Sequence, residues 1–199
     1  MRTGELKSEI PVTRPSRSVN TSRTIMKILL NEEQLREGIR RLADNIQSQY
    51  QGKPLTIVGV LIGSIVLLAD LIRMLEMPIR VELVQARSYR SGTRPGPLVL
   101  NTDLLSDGIR DRDVLLVDDI FDTGHTLWEL IPQIDELGPS SVRSAVLLQK
   151  EGRCEVRMKP DFVGFTIPDQ FVVGYGLDYN DQYRNLPYLA VLEPSEIAQ

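Results

Sequence analysis

The chain has 199 residues, of which 42% are hydrophobic and 25% are charged, and its net charge of −4 argues against a general nucleic-acid-binding protein. A single cysteine excludes an internal disulfide and a multi-cysteine metal site, which fits a reducing compartment. No apolar run approaches the ~18 residues of a membrane span, so we expect a cytoplasmic protein that binds neither nucleic acid nor a membrane.

Residues 1–24 contain many Ser, Thr and basic residues, two prolines and few apolar side chains. Such a segment buries too little apolar surface to offset the entropy of ordering. We therefore predict a disordered N-terminal extension and one folded domain at residues 25–199. The basic, hydroxyl-rich composition is also compatible with a transit peptide.

Helical and strand patterns alternate along the rest of the chain. A first helix is predicted behind Asn31, a suitable N-cap, because apolar residues follow it at spacings of three and four. Strands are predicted at residues 54–61, 79–86, 113–117, 142–149, 162–165 and 171–176. Helices are predicted at 63–77 and 126–137, and Pro132 should kink the second helix or shift its start.

This alternation predicts an α/β fold with a mostly parallel, twisted sheet flanked by helices. Ligands of such sheets bind beyond the carboxyl ends of the strands. Residues 61–64, 118–126 and 149–152 each follow a predicted strand directly. We therefore expect these three segments to meet at one rim of the sheet.

The segment VLLVDDIFDTGHTL, residues 114–127, places three acids after a buried strand. Asp118 and Asp119 are adjacent, and two ionised carboxylates this close repel each other unless each finds hydrogen-bond donors or a cation. The vicinal hydroxyls of a ribose would supply such donors, and a magnesium ion would supply the charge. The third acid, Asp122, begins the turn that follows.

That turn has the residues of a phosphate-binding loop. Asp122 is followed by Thr123, Gly124, His125 and Thr126. N–H groups at a helix N-terminus, a permissive glycine and two hydroxyls can hold a phosphate, so the segment as a whole predicts a sugar-phosphate site. A capping box between Thr126 and Glu129 is an alternative, although it leaves the three acids unexplained. An aspartyl-phosphate enzyme is also possible, but it leaves the loop without a role.

The same segment closely resembles the phosphoribosyl diphosphate motif of type I phosphoribosyltransferases. Its Asp-Thr-Gly-x-Thr-Leu form is similar to the hypoxanthine-guanine branch. Further segments match that family in order: VGVLIGS, ARSYRSG, LLQK and PDFVGFTIPDQFVVGYGLDYNDQYRNLPY. The resemblance extends from about Met26 to Val191 and implies the fold of that family, in which terminal segments form a small hood.

The resemblance implies how phosphoribosyl diphosphate would bind. Asp118 and Asp119 would hold the ribose hydroxyls, and Asp122 together with residues 123–126 would bind the 5′-phosphate. Pyrophosphate would lie against the Leu61, Ile62 and Gly63 turn and Arg184. Ile62 departs from the family, which usually has Lys or Arg at this position, and the family commonly has Glu in place of Asp118.

The resemblance also implies a purine site next to the sugar phosphate. Asp122 would be the catalytic acid near purine N7, Lys150 would donate to O6, Phe171 would stack on the base and Val172 would offer backbone contacts. Asp178 would serve both the base and a magnesium ion, for which Asp118 and Asp119 are further candidate ligands. A mobile loop that begins at Ser88 and Tyr89 and ends at Pro97 would close over the reactants.

The activity implied is transfer of a phosphoribosyl group from phosphoribosyl diphosphate to hypoxanthine or guanine, with magnesium, in a homodimer or homotetramer. Two alternatives remain open. One is an enzyme that prefers xanthine, and the other is a non-catalytic, nucleotide-sensing regulator with the same fold. Ile62 is the only feature of the sequence that favours the regulator.

Overall fold

The computed structural model describes residues 26–88, 98–100, 105 and 108–193. Its strands are β1 (Lys27–Leu30), β2 (Leu55–Leu61), β3 (Ile79–Ser88), β4 (Leu98–Leu100), β5 (Asp113–Phe121), β6 (Ser141–Lys150), β7 (Phe162–Ile167), β8 (Val172–Val173) and β9 (Leu189–Val191). Its helices are α1 (Glu32–Tyr50), α2 (Ile65–Ile72) and α3 (His125–Asp135). The predicted extension at residues 1–24 and the mobile loop from Tyr89 to Pro97 lie outside the described residues, and Ser88 ends β3.

The main sheet has six strands in the order β4-β3-β2-β5-β6-β7. All neighbouring strands from β3 to β7 run parallel, and only β4 is antiparallel to its neighbour. This arrangement confirms the predicted α/β fold with a mostly parallel sheet. The strand order also places β2, β5 and β6 side by side, so the three segments that follow them leave the sheet at the same edge.

Helices cover both faces of the sheet. Successive side chains of a strand point to opposite faces, so neighbouring residues of a buried strand pack against different helices. Ile57 of β2 packs in the same core cluster as α1 and α2, whereas its neighbour Val58 packs in the cluster that contains α3. Both side chains are fully buried. No helix in the described ranges is long and apolar enough to cross a membrane.

Helix α1 begins where the sequence predicted. The Asn31 side chain accepts from the Gln34 backbone N–H at 2.8 Å, and the Gln34 side chain accepts from the Asn31 N–H at 2.9 Å, which forms a reciprocal capping box. The apolar positions of the predicted helix are all buried: Leu35, Ile39, Leu42 and Ile46.

Several predicted boundaries are wrong, and the strand predicted at 171–176 is only Val172–Val173. Strand β5 extends to Phe121, so Asp118 and Asp119 lie inside the strand, because its parallel ladder with β6 continues from Asp118 opposite Val146 to Phe121 opposite Gln149. Helix α2 is shorter than the predicted 63–77. Pro132 does not shift the start of the next helix, since α3 begins at His125 and continues past the proline.

A second sheet, of order β1-β9-β8, is built from the beginning and the end of the described chain. Its three strands pair antiparallel. This is the predicted hood formed by terminal segments. Between β8 and β9 the chain passes through Gly174, Tyr175 and Gly176, which all have positive φ, and this turn brings residues 176–184 back to the edge of the main sheet.

Candidate active site

A cavity of about 360 Å³ opens at the carboxyl ends of β2 and β5. The predicted site residues that line it are Leu61, Gly63, Asp118, Asp119, Asp122, Thr123, Gly124, Thr126, Asp178 and Arg184. Lys150, at the end of β6, reaches the same place through an ion pair with Asp122. The three segments predicted to share one rim therefore do meet there.

The paired acids lie at the floor of this cavity. The Asp119 N–H donates to Asp118 Oδ1 at 3.0 Å, and the Ile120 N–H donates to Asp119 Oδ1 at 2.8 Å. Burial, reinforced by the neighbouring Asp119 charge, raises the pKa of Asp118 well above its usual value. Burial also raises the pKa of Asp119, although hydrogen bonds and the Arg184 charge oppose the shift. This pair is poised to accept hydroxyl donors or a cation.

The turn after β5 forms an anion-binding helix start. Gly124 is the N-cap of α3 at φ +90°, and a Cβ there would lie 2.6 Å from the Phe121 ring. Thr126 is inside the helix and no side chain caps Gly124, so the capping-box alternative is wrong. Unpaired N–H groups and the helix dipole at this end favour an anion in the cavity. The hydroxyl residues Thr123 and Thr126 line the cavity beside it.

The His125 side chain points away from the cavity. Its Nε2 lies 3.1 Å from Glu155 Oε2, and both side chains are exposed. The backbone N–H of Glu155 also donates to the Thr123 carbonyl at 2.9 Å. The loop that follows β6 therefore supports the turn at residues 122–126 from outside the cavity.

Asp122 holds two cations at the edge of the cavity. Lys150 Nζ lies 2.9 Å from Oδ2, and Arg153 Nε lies 2.9 Å from Oδ1. Burial alone would raise the pKa of Asp122, but the hydrogen bonds and charges of these two residues outweigh burial and lower it. Sequence reasoning missed Arg153, although a basic residue directly after the predicted rim segment 149–152 was the available signal.

The hood supplies the opposite wall. Arg184 Nη2 lies 2.8 Å from Asp178 Oδ1, and Arg184 Nη1 donates to the Gly176 carbonyl at 2.8 Å. Gly176 packs so closely on the Gly63 carbonyl that a Cβ would lie 2.2 Å from its oxygen. Gly63 in turn packs on the Asp119 carboxylate. Hood, turn and paired acids thus form one contiguous wall.

The structure does not bring every predicted residue into this cavity. Ile62 is 50% exposed and lies outside the lining, between Leu61 and Gly63, and the Leu61–Ile62 peptide is cis. Phe171 is 39% exposed, and its ring contacts Tyr179 edge-on with centroids 5.6 Å apart. Val172 is buried in β8.

Phe171 nevertheless lies on the Lys150 side of the cavity. Two residues before it, Asp169 Oδ1 lies 3.6 Å from Lys150 Nζ and 3.7 Å from Arg153 Nε. This places an aromatic ring on the same segment as Asp169, the second acid that pairs with Lys150.

The site suits a cation that is bound partly by protein carboxylates and partly by oxygen atoms of a substrate. Within the described ranges, no group of three or more His, Cys, Asp or Glu side chains is arranged to hold a metal. Asp118, Asp119 and Asp178 do line one cavity. Magnesium commonly binds through one or two carboxylates together with substrate phosphates, and this donor set fits that pattern.

The fold and site define a phosphoribosyltransferase. A family model described as phosphoribosyl transferase domain matches residues 26–180. The hypoxanthine-guanine phosphoribosyltransferase of Lactococcus lactis is 40% identical over 179 residues, with 88% of this chain and 95% of that protein covered. The enzyme of that name from Streptococcus pneumoniae is 41% identical over 171 residues, with 85% and 94% covered. The chain belongs to the hypoxanthine-guanine branch of the type I phosphoribosyltransferase family.

Solved structures agree with this assignment. A hypoxanthine phosphoribosyltransferase from Staphylococcus aureus is 36% identical with a TM-score of 0.79, and the match covers 85% of this chain and 92% of that one. One from Trypanosoma cruzi in complex with the product IMP is 38% identical with a TM-score of 0.78 over 86% and 92% of the two chains.

Proposed function

We propose that this protein is a purine-salvage enzyme. It transfers the 5-phosphoribosyl group from phosphoribosyl diphosphate to N9 of hypoxanthine or guanine, giving IMP or GMP and pyrophosphate. The observation that carries the proposal is the joining, at one rim, of a paired-acid floor, an anion-binding helix start and the Asp122–Lys150 pair. The relatives that bear the name of this activity, at about 40% identity over nearly their full length, support it.

The sugar phosphate binds in the main cavity. Asp118 and Asp119 accept hydrogen bonds from the ribose hydroxyls. These hydroxyls take the place of the water molecules from which burial separates the two carboxylates. The 5′-phosphate is held by the N–H groups and hydroxyls of residues 123–126, with Asp122 at the start of the turn. His125 contributes its backbone only, since its side chain is paired with Glu155 outside the cavity.

The base binds beside the Asp122–Lys150 pair. Lys150 donates to O6 and Asp122 accepts or returns a proton at N7, whereas Phe171 stacks on the ring and Val172 offers its backbone to the base edge. The supporting observation is that Lys150 is only 10% exposed and that its nearest partners are the acids Asp122 and Asp169. A lysine so placed has donors available for a ligand acceptor.

Pyrophosphate leaves along the wall built by the Leu61, Ile62 and Gly63 turn, Arg184 and Asp178. Magnesium, held by Asp178 or the Asp118–Asp119 pair together with substrate oxygens, supplies compensation for the pyrophosphate charge when bound. The proposed domain spans residues 25–199.

The residues of the site favour separation of charge at the sugar. Loss of pyrophosphate leaves positive charge at C1′ of the ribose, and carboxylates preorganised close to the ribose stabilise it. Arg184 stabilises the negative charge of the departing group. Asp122, whose pKa is lowered by the hydrogen bonds of Lys150 and Arg153, is ionised and available to take the proton of the incoming base.

Lys150→Gln is expected to narrow the preference for hypoxanthine over adenine. A lysine only donates, so it suits the O6 carbonyl and opposes the 6-amino group, whereas glutamine can also accept. An unpaired buried partner costs about 1–3 kcal/mol, which corresponds to a change of roughly 5- to 150-fold in the kcat/KM ratio. The measurement is kcat/KM for both bases in variant and wild type. An unchanged ratio would remove Lys150 from the base pocket.

Ile62→Lys is expected to lower KM for phosphoribosyl diphosphate, because it restores a cation beside the pyrophosphate. The effect should be about two- to fivefold, since exposed charge pairs are weak. Ile65→Lys is the matched control, because Ile65 is similarly exposed, at 47%, and the variant adds the same charge at the first residue of α2 instead of within the turn. If both variants leave KM at the wild-type value, only the backbone of the turn contacts pyrophosphate.

The direct test is a steady-state assay with hypoxanthine, guanine, xanthine and adenine. Hypoxanthine and guanine should give the highest kcat/KM and adenine the lowest. A preference for xanthine would replace the stated substrate, and no turnover with any base would favour the regulator. The homodimer or homotetramer and the cytoplasmic location remain predictions, the first open to light scattering with size-exclusion chromatography.

A further inference from the structure

We propose that Arg153 is a positioning residue that holds the Asp122 carboxylate in place when Lys150 engages the purine. The inference deepens the proposed function and rests on it, since it presupposes that Asp122 and Lys150 serve the base. Arg153 itself need not contact either substrate. Its action is on the orientation and ionisation of Asp122.

The geometry assigns one cation to each oxygen of Asp122. Lys150 Nζ is 2.9 Å from Oδ2, and Arg153 Nε is 2.9 Å from Oδ1. With both contacts in place, the carboxylate plane is fixed by two independent points. Neither contact alone would prevent the carboxylate from turning about its side-chain bond.

The contact between Lys150 and Asp122 cannot stay unchanged during the reaction. Under the proposed function its ammonium donates to the base, so its hold on Asp122 is shared or lost when the base binds. The Arg153 contact is made to the other oxygen and does not involve the base. Arg153 can therefore keep the same contact with Asp122 in the empty and in the occupied site.

Arg153 is well placed to keep this contact because its loop is tied to the segment that carries Asp122. The Glu155 N–H donates to the Thr123 carbonyl at 2.9 Å, and the Glu155 carboxylate pairs with His125. Val156 packs against Gly124 so closely that a Cβ on Gly124 would lie 2.6 Å from Val156 Cγ2. These contacts hold the loop that carries Arg153 against the turn that follows Asp122.

The guanidinium also lowers the pKa of Asp122, through its hydrogen bond and its charge. Arginine remains charged at every accessible pH, unlike a lysine that is drawn into a dry pocket. Loss of Arg153 would leave Lys150 as the only cation bonded to Asp122, and the pKa of Asp122 would rise because burial would then be less opposed. The other charged groups around Asp122 are Asp118, Asp119, Asp169, Asp178, Arg184 and the His125–Glu155 pair.

The test compares Arg153→Met and Arg153→Lys with Arg157→Met. Arg157 is exposed on the same loop, so its replacement removes the same charge away from Asp122. Arg153→Met should lower kcat about two- to fivefold, as befits an exposed partner, with KM for phosphoribosyl diphosphate nearly unchanged. The acid limb of its kcat profile should move to higher pH. Arg153→Lys should recover part of both effects, and Arg157→Met should show neither.

A second readout does not depend on turnover. Titration of the Asp122 side chain by carbon-detected NMR should show a higher pKa in Arg153→Met than in wild type and in Arg157→Met. Equal Asp122 titrations and equal kcat in the two methionine variants would overturn the inference. If wild type turned over no 6-oxopurine, the proposed function would fail, and the NMR titration would still decide whether Arg153 holds Asp122.

Discussion

Asp122→Asn is expected to lower kcat by ~10²–10⁴-fold, the usual worth of general acid–base help, with little change in KM for phosphoribosyl diphosphate. Asparagine preserves the shape of the side chain but cannot accept the proton of the incoming base. The 5′-phosphate would still meet the helix start of α3, which does not depend on the Asp122 charge. The measurement is kcat and KM for both substrates across pH.

The matched control for this variant is Asp169→Asn. Asp169 lies 3.6 Å from Lys150 Nζ and 3.7 Å from Arg153 Nε, so its replacement also removes a carboxylate from these two cations. It leaves the proposed proton acceptor intact and should change kcat only a few-fold. If kcat of Asp122→Asn stayed within a few-fold of wild type at every pH, Asp122 would not be the proton acceptor.

Gly63→Ala is expected to reduce kcat/KM for phosphoribosyl diphosphate by about 10²-fold, the scale of loss that follows a displacement of about 1 Å at a reacting site. A Cβ on Gly63 would lie 1.6 Å from Asp119 Oδ2 and 2.5 Å from its Cγ. The Asp119 carboxylate must therefore move, although the Ile120 N–H holds it at 2.8 Å. The turn cannot retreat freely, because Gly176 packs on the Gly63 carbonyl.

Ile62→Ala is the control for this prediction, since it shortens an exposed side chain of the same turn without adding an atom next to Asp119. Its kcat/KM should stay close to wild type. Circular dichroism and thermal unfolding of both variants separate a local defect from a general loss of folding. A folded Gly63→Ala enzyme with wild-type KM would show that close contact between the turn and Asp119 is not required for binding.

The rim of the sheet was predictable from sequence because strand ends are marked locally. Continuous β-branched runs predict buried strands, and polar residues directly after them must lie at the carboxyl edge. The Asp122–Lys150 contact follows once β5 and β6 are neighbours. The capping residue Asn31 was equally clear, because its signal lies within a few positions of the helix.

Other features depend on contacts between distant parts of the chain. Strands β1 and β9 pair over a separation of about 160 residues, and neither has a local pattern strong enough to predict it. Asp118 and Asp119 were placed beyond the strand, since only the pairing of β5 with β6 shows that the ladder continues. The outward side chain of His125 is likewise fixed by Glu155, thirty positions away.

The proposed reaction in this cavity is transfer of the phosphoribosyl group of phosphoribosyl diphosphate to a 6-oxopurine. The most direct measurement is phosphorus NMR of the purified protein with phosphoribosyl diphosphate, magnesium and hypoxanthine, followed by omission of the base. IMP and pyrophosphate should form in equal amounts, and only when hypoxanthine is present. Release of pyrophosphate without IMP, or no change in either sample, would contradict it.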